Sequence, residues 1–298
     1  MPANITHVEI RSVDGTKLFV RDHRPPDVEE PPTVLIAHGA CEYGARYEHV
    51  AERLLARGFR VIVPDLRGHG RSGGVRTHVR DFREYVEDLE AVRSRFSLTP
   101  QRTILIGHSM GGLVAIRYCQ RFPDHVSGLV LMSPLLGMTV PIPRMVIAIG
   151  KIMSFIAPRT RFRSRVDTTD TTHDEQVLAV REDDPLVERS MTAGWFFAMR
   201  SAVRKAWDNA PQIDRPILVL QAGADRIVDP VAPQIWLDRT SGTDRTYQSF
   251  PGHFHELFNE PDWRQTTDIV GDWLDVHFVS APSSESPPCD PVQEVLSE

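Results

Sequence analysis

Apolar residues run in two rhythms along this chain, and the two take turns. Residues 33–37, 60–64, 103–106, 126–132 and 217–221 are short runs rich in Val, Ile and Leu. Runs of that kind are expected of strands covered on both faces. Between them lie stretches whose apolar positions fall on one side of a helix: 47–57, closed by Gly58; 82–96, with Asp81 near its start; 113–118; 230–239; and 262–278. Residues 8–11 and 17–21 alternate in character around Asp14-Gly15, which reads as an antiparallel hairpin, and a Pro/Glu loop follows at 27–32. Residues 246–250 supply a last strand. Strands alternating with helices predict an α/β fold, a mostly parallel sheet with helices on both faces.

The alternation breaks over residues 135–209, where no strand is predicted and helical patches occupy 145–156 and 193–206. Residues 281–298 are rich in Pro, Ser and Glu and are expected to be disordered. The predicted organisation is a core in two parts, 1–134 and 210–279, with a helical insertion at 135–209 and a tail at 280–298.

Composition narrows the classes of function. The chain has 298 residues, 41% hydrophobic and 25% charged, which suits one large domain or a core with an inserted subdomain. A formal net charge of −6, with no Lys/Arg run, argues against a nucleic-acid partner. Cys41, Cys119 and Cys289 are an odd, scattered set without C-x-x-C, so a reducing cytoplasm is expected. The first residues lack a basic then apolar leader pattern, and no window reaches the roughly 18 to 20 apolar residues of a spanning helix.

The chemistry gathers at Gly107-His108-Ser109-Met110-Gly111-Gly112. A strand precedes it and a helix follows, the context that makes G-x-S-x-G a nucleophile elbow. A serine hydroxyl needs a base to take its proton, and the base needs an acid to orient it. In open α/β sheets such groups collect beyond the carboxyl ends of the strands. After the strand ending at Gln221 come Asp225 and Asp229; after the one ending at Phe250 come His253 and His255. Asp229 directly precedes Pro230 and fits a helix N-cap, which favours Asp225 as the acid. Spacing alone leaves His253 and His255 as alternatives. His108 beside the elbow serine is read as a packed residue. Metal and dinucleotide readings are weak: His253-x-His255-Glu256 is not H-E-x-x-H, and the elbow glycines lack dinucleotide spacing. No metal or cofactor is expected.

Several stretches together resemble the monoacylglycerol lipase and lysophospholipase group of serine hydrolases, of α/β-hydrolase fold. They are His38-Gly39-Ala40-Cys41-Glu42 with Arg46-Tyr47, Asp65-Leu66-Arg67-Gly68-His69-Gly70-Arg71-Ser72, the elbow, Asp183-Asp184-Pro185-Leu186, Gln221 to Asp225, and Gly252 to Glu256. The resemblance implies a triad of Ser109, Asp225 and His255, choosing His255 over His253. It implies an oxyanion hole from the backbone N–H groups of Ala40 and Met110. Glu42 and Arg46 match the corner that holds a glycerol head group; read bottom-up, they are a pair at i, i+4 spacing. Phe258 departs from the mammalian monoacylglycerol lipases, which carry a second histidine there. The implied substrate is a lipid ester with one acyl chain. The same machinery would serve a lysophospholipase or a short-chain carboxylesterase, whereas a non-catalytic ligand-binding relative would not need all three triad residues.

The insertion would then be a cap. Residues 135–149 are more apolar than an exposed helix should be, and Lys151, Arg159, Arg161, Arg163 and Arg165 follow. Two readings stand: packing onto the sheet domain, or a lipid-contacting surface that gives peripheral membrane contact.

Overall fold

The computed structural model describes residues 4–26, 28–139, 144–164 and 166–279. The predicted disordered tail and Arg165 lie outside them. Strands β1 (Asn4–Arg11) and β2 (Lys17–Arg24) form the opening hairpin, followed by β3 (Thr33–Ala37), α1 (Glu48–Leu55), β4 (Arg60–Pro64) and α2 (Arg83–Arg95). Next come β5 (Thr103–His108), α3 (Met110–Arg121) and β6 (Gly128–Met132). The stretch before the next sheet strand holds α4 (Arg144–Ile156), β7 (Arg161–Arg163), α5 (Glu175–Asp183), β8 (Ser190–Thr192) and α6 (Ala193–Asp208). The chain closes with β9 (Ile217–Ala222), α7 (Ala232–Leu237), β10 (Arg245–Phe250) and α8 (Trp263–Leu274).

Eight strands form one sheet in the order β1-β2-β4-β3-β5-β6-β9-β10. The β1–β2 and β2–β4 pairs are antiparallel, and the remaining pairs are parallel. The hydrophobic period explains the layers. Val34, Ile36, Val61, Val63, Ile104 and Ile106 face α1 and α8. Leu35, Ile62, Leu105, Leu129 and Val219 face the other way, toward α2, α3 and α7. Both faces of β3, β4, β5, β6 and β9 are dry, so these strands read as continuous apolar runs.

From β3 the chain passes to β4 on one side, whereas from β5 it passes to β6 on the other. Strand order therefore reverses between β3 and β5, and a crevice opens beyond their carboxyl ends. Ala37 pairs with Gly107 there, so the chain leaves both strands side by side. A Cβ on Gly111 would lie 2.0 Å from the Ala37 carbonyl oxygen and 2.5 Å from that of His38. One on Gly107 would lie 2.4 Å from the Gly111 oxygen. These are backbone atoms at the end of β3 and in the first turn of α3, and they cannot step aside.

Four local readings are corrected. Residues 135–209 do contain strands, the antiparallel pair β7–β8; each spans three residues, too few to leave a period of two. The helix expected from Pro230 begins at Ala232, with Pro233 in its first turn. Asp229 is not its N-cap: its carboxylate takes the Val231 N–H at 3.0 Å and its own N–H bonds the Gly137 carbonyl at 3.3 Å, making a turn ahead of the helix. The last helix ends at Leu274 and continues as a wider π-helical turn over Asp275–Val279.

The contact between α3 and β3 should be intolerant of a single methyl. Gly111→Ala is expected to lose about 3 kcal/mol in urea denaturation. Gly252→Ala, where a Cβ meets nothing within 4 Å, should stay within about 0.5 kcal/mol of the parent.

Candidate active site

Ser109 sits between β5 and α3 with φ 52° and ψ −117°. That is the conformation of the first central residue in a type II′ turn, rare for a residue with a Cβ, and it costs about 1–3 kcal/mol. The surroundings hold it there. Its N–H donates to the Met132 carbonyl at 3.0 Å, and its carbonyl accepts from Leu113 and Leu135 N–H at 3.2 and 2.9 Å. The turn sets the side chain at the end of the strand, at the N-terminus of α3, where Met110 is the first helical residue.

Two adjacent parallel strands, β9 and the edge strand β10, bring Asp225 and His255 together. Beyond β9 and β10 the chain is cross-tied, Gly223 N–H to the Phe250 carbonyl at 2.8 Å and Ala224 N–H to the His253 carbonyl at 3.0 Å. Asp225 Oδ2 accepts from His255 Nδ1 at 2.7 Å, and Oδ1 accepts from Ile227 and Val228 N–H at 2.9 and 3.0 Å. Burial would raise the Asp225 carboxyl, but the His255 charge and these hydrogen bonds outweigh it and hold it below the usual value. The Asp225 carboxylate accepts the Nδ1 proton and leaves Nε2 on the opposite side of the ring. Among the described residues nothing hydrogen-bonds that Nε2. His253 turns outward to Asp262 at 2.8 Å, so the two histidines do point to different partners.

His108, next to Ser109 in the chain, links β5 to this loop. Its ring lies 4.8 Å from the His255 ring, centroid to centroid. Both of its nitrogens meet acceptors: Nδ1 the Glu42 carboxylate at 3.1 Å and Nε2 the His255 carbonyl at 3.3 Å. A neutral imidazole can donate to only one, so the arrangement calls for the imidazolium. Burial alone would push its pKa down; the hydrogen bond and charge of Glu42 outweigh that and raise it. The packed reading of His108 holds as far as burial goes but missed the bond to Glu42 that favours its charged form.

Glu42 is the hub. Its carboxylate accepts from Gly39 N–H, the Tyr47 hydroxyl at 2.8 Å, Arg46 Nε at 3.2 Å and His108. Despite burial, those partners hold its carboxyl well below the ordinary value. Arg46 reaches on to Glu256 at 2.7 Å, and Glu256 also pairs with Arg181 of α5 and accepts from Asn259 at 2.9 Å. The pair read as i, i+4 neighbours is thus part of a buried ionic chain, Glu42 being 2% exposed. Arg181 and the role of Glu256 were not found from the sequence. Glu256 stood in the quoted motif; Arg181 lies in the block whose pattern is weakest.

The Asp-x-x-Gly-His-Gly stretch serves as scaffolding for the loop that carries Ala40. Asp65 accepts from Arg21 at 2.6 Å, Gly44 N–H at 2.8 Å and Arg71 N–H at 2.7 Å. Leu66 N–H donates to His38 Nε2 at 2.8 Å, and Arg67 forks onto Asp88 with two bonds of 2.6 Å. Phe258 is buried, with its ring edge-on to Tyr47 at 6.2 Å, and belongs to the core beside α1 and α8. Cys41 and Cys119 are free and buried, and burial pushes both thiols up to about 12. Among the described residues no group of three or more His, Cys, Asp or Glu could hold a metal ion, and no helix is long and apolar enough to cross a membrane.

Helix α4 shows two faces. Gly150 meets α6 closely, 3.2 Å from an added Cβ to the Phe197 ring. Met145, Ile149, Ile152, Phe155 and Ile156 face solvent, Ile152 at 62% and Phe155 at 90% exposure. A cavity of about 310 Å³ lies under this helix, lined by Gly137, Met138, Ile147, Phe196, Met199 and Val203 with two arginines. Of the basic residues after α4, Arg161 pairs with Glu188 at 2.8 Å.

The pattern of the family described as serine aminopeptidase, S33, matches residues 29–262. The chain is 33% identical over 270 residues to the monoacylglycerol lipase of Mycolicibacterium smegmatis, covering 89% of this chain and 95% of that one. It is 32% identical over 232 residues to the phospholipase YtpA of Bacillus subtilis, covering 77% and 89%. The crystal structure of the Paleococcus ferrophilus monoacylglycerol lipase superposes with a TM-score of 0.79 at 26% identity, covering 92% of this chain and 99% of that one.

The charge on His108 has a measurable sign. A pKa raised on folding adds stability that is complete below the ordinary 6.5 and is lost as pH climbs through the folded value. His108→Gln should therefore cost about 3 kcal/mol at pH values near 6 and distinctly less near 9, read from urea midpoints. Equal losses at both would mean a neutral ring.

Proposed function

The chain belongs to the serine aminopeptidase S33 family of α/β-hydrolases, and from that premise we propose a serine ester hydrolase acting on a glycerolipid with one acyl chain. The observation that carries the reading is the 2.7 Å bond from His255 Nδ1 to Asp225, in the loop that His108 joins to the strained Ser109. Ser109 Oγ attacks the ester carbonyl as His255 Nε2 takes its proton. Asp225 holds the ring by Nδ1–H and stabilises its charged form. Charge growing on the carbonyl oxygen is met by the N–H groups of Ala40 and Met110; losing one such donor costs about 3 kcal/mol. His255 then gives its proton to the leaving alkoxide, and glycerol departs. Water, deprotonated by the same nitrogen, attacks the acyl-enzyme; the C–O bond to Ser109 breaks, the proton returns to Oγ, and a fatty acid leaves.

Glu42 in this reading braces the loop that presents Ala40, because four donors already occupy its carboxylate. Arg46 keeps Nη1 for the head group: its Nε and Nη2 are taken by Glu42 and Glu256. The block over 135–209 acts as a cap. The apolar outer face of α4 rests on the lipid surface, and the cavity beneath it admits the acyl chain. Leu135, whose N–H bonds Ser109, leads within three residues to Met138 in that cavity. A lysophospholipid is the second reading, favoured by the similarity to a phospholipase and by Phe258.

Ser109→Ala should fold normally and lose about a thousandfold or more in kcat toward monoacylglycerol; retention of most hydrolysis would remove Ser109 from the reaction. Assaying monoacylglycerol and lysophospholipid side by side separates the two substrate readings. Ile152→Glu with Phe155→Glu should slow hydrolysis of vesicle-borne monoacylglycerol about tenfold and leave a soluble short-chain ester unaffected. Equal effects on both would place the α4 face outside lipid contact.

A further inference from the structure

A cavity of about 450 Å³ lies where the start of α2, the C-terminal half of α3, the end of α4 and one face of α6 meet. None of Ser109, Asp225 or His255 lines it. Its volume is within the range of small-ligand sites. The polar part of the lining is basic: Arg80, Arg83, Arg117, Arg121 and Lys205, against the carboxylates of Asp81 and Glu87. In a chain of formal net charge −6, that local excess runs against the trend.

Most of these cations lack an anion. Arg83 pairs with Asp81 at 3.2 Å. Among the described residues, Arg80, Arg117, Arg121 and Lys205 enter no ion pair. Arg117 is half-buried, and its Nη1 donates to the neutral amide oxygen of Gln120. Burial pushes its guanidinium below the ordinary value, with the Asp81 charge pulling the other way. Taking a charge partly out of water without a counter-charge is unfavourable, and an anion bound beside it would offset that. Gln120 Nε2 in turn donates to the Ala206 carbonyl at 3.0 Å, which sets the Arg117–Arg121 turn of α3 beside Lys205 of α6. Apart from Ser154 and Ser201, the rest of the lining is chiefly apolar: Val79, Phe82 and Val86 on one side, Phe197, Ala198 and Ala202 on the other.

We propose that this cavity binds an amphiphilic anion, with a carboxylate or phosphate monoester head against Arg117 and Lys205 and a short apolar body between Phe82 and Phe197. Head and body match the two parts of the lining. Two sources share this chemistry: a fatty acid of the kind the proposed hydrolysis releases, and a single-chain phosphate monoester. Because α2 and α3 supply one wall and α4 and α6 the other, an occupant ties the block over 135–209 to the helices on the sheet.

Hydrogen exchange of the full chain tests this without relying on turnover. Decanoate or decyl phosphate should slow exchange across 79–87 and 194–205, the segments that line the cavity. Decanoate alone would identify the free acid as ligand, and decyl phosphate alone the monoester. The double variant Arg117→Gln, Lys205→Gln should weaken that binding about tenfold, as expected for lost charge-assisted bonds. Equal protection by decanol or by inorganic phosphate would overturn the proposal. So would protection confined to the loops around Ser109, or binding indifferent to the double substitution.

Discussion

The close approach of two backbones is what the rest of this structure depends on. At the crevice between β3 and β5 the first turn of α3 lies directly on the end of β3, with no room for a single side-chain atom at Gly107 or Gly111. That contact leaves Ser109 no relaxed conformation and fixes it at φ 52°. It also brings the N–H groups at the start of α3 alongside the loop leaving β3. The position of Ser109 and the placing of the two N–H groups proposed as oxyanion donors thus come from one steric constraint.

Charge performs the second fixing. Three loops leave the sheet at the crevice, after β3, β5 and β10, and loops by themselves wander. Here Glu42, His108, Arg46 and Glu256 join all three below the surface, and Arg181 extends the chain to α5. Buried ion pairs contribute little net stability when compared with apolar packing, but removing one member leaves its partner stranded. The consequence is positional: the loop after β10 moves with the loop after β3 or not at all. Asp225 lies outside this chain and is held independently by backbone N–H groups, so the orientation of His255 has two separate supports.

Much of this was legible in the sequence because the sheet obeys a strong pattern. Buried parallel strands must be apolar throughout, so strand order placed Ser109, Asp225 and the His253/His255 pair together beyond the carboxyl ends of β5, β9 and β10 as candidates. The choice between His253 and His255 was not legible from spacing; it depends on which ring faces Asp225, a property of the cross-tied loop. Asp229 misled because an Asp before Pro imitates a helix cap, and here the helix starts two residues later. The charge of His108 and the partnership of Glu256 with Arg181 come from contacts between residues 66 to 147 positions apart in sequence, which no local pattern records. The short strands β7 and β8 were invisible because three residues cannot display a period.

The central claim is that Ser109 is the activated nucleophile of this assembly. It is tested most directly by treating the folded protein with a fluorophosphonate and locating the adduct by peptide mass spectrometry. The account predicts one phosphonyl group per chain, on Ser109. An unlabelled protein, or a label on a serine other than Ser109, would contradict it.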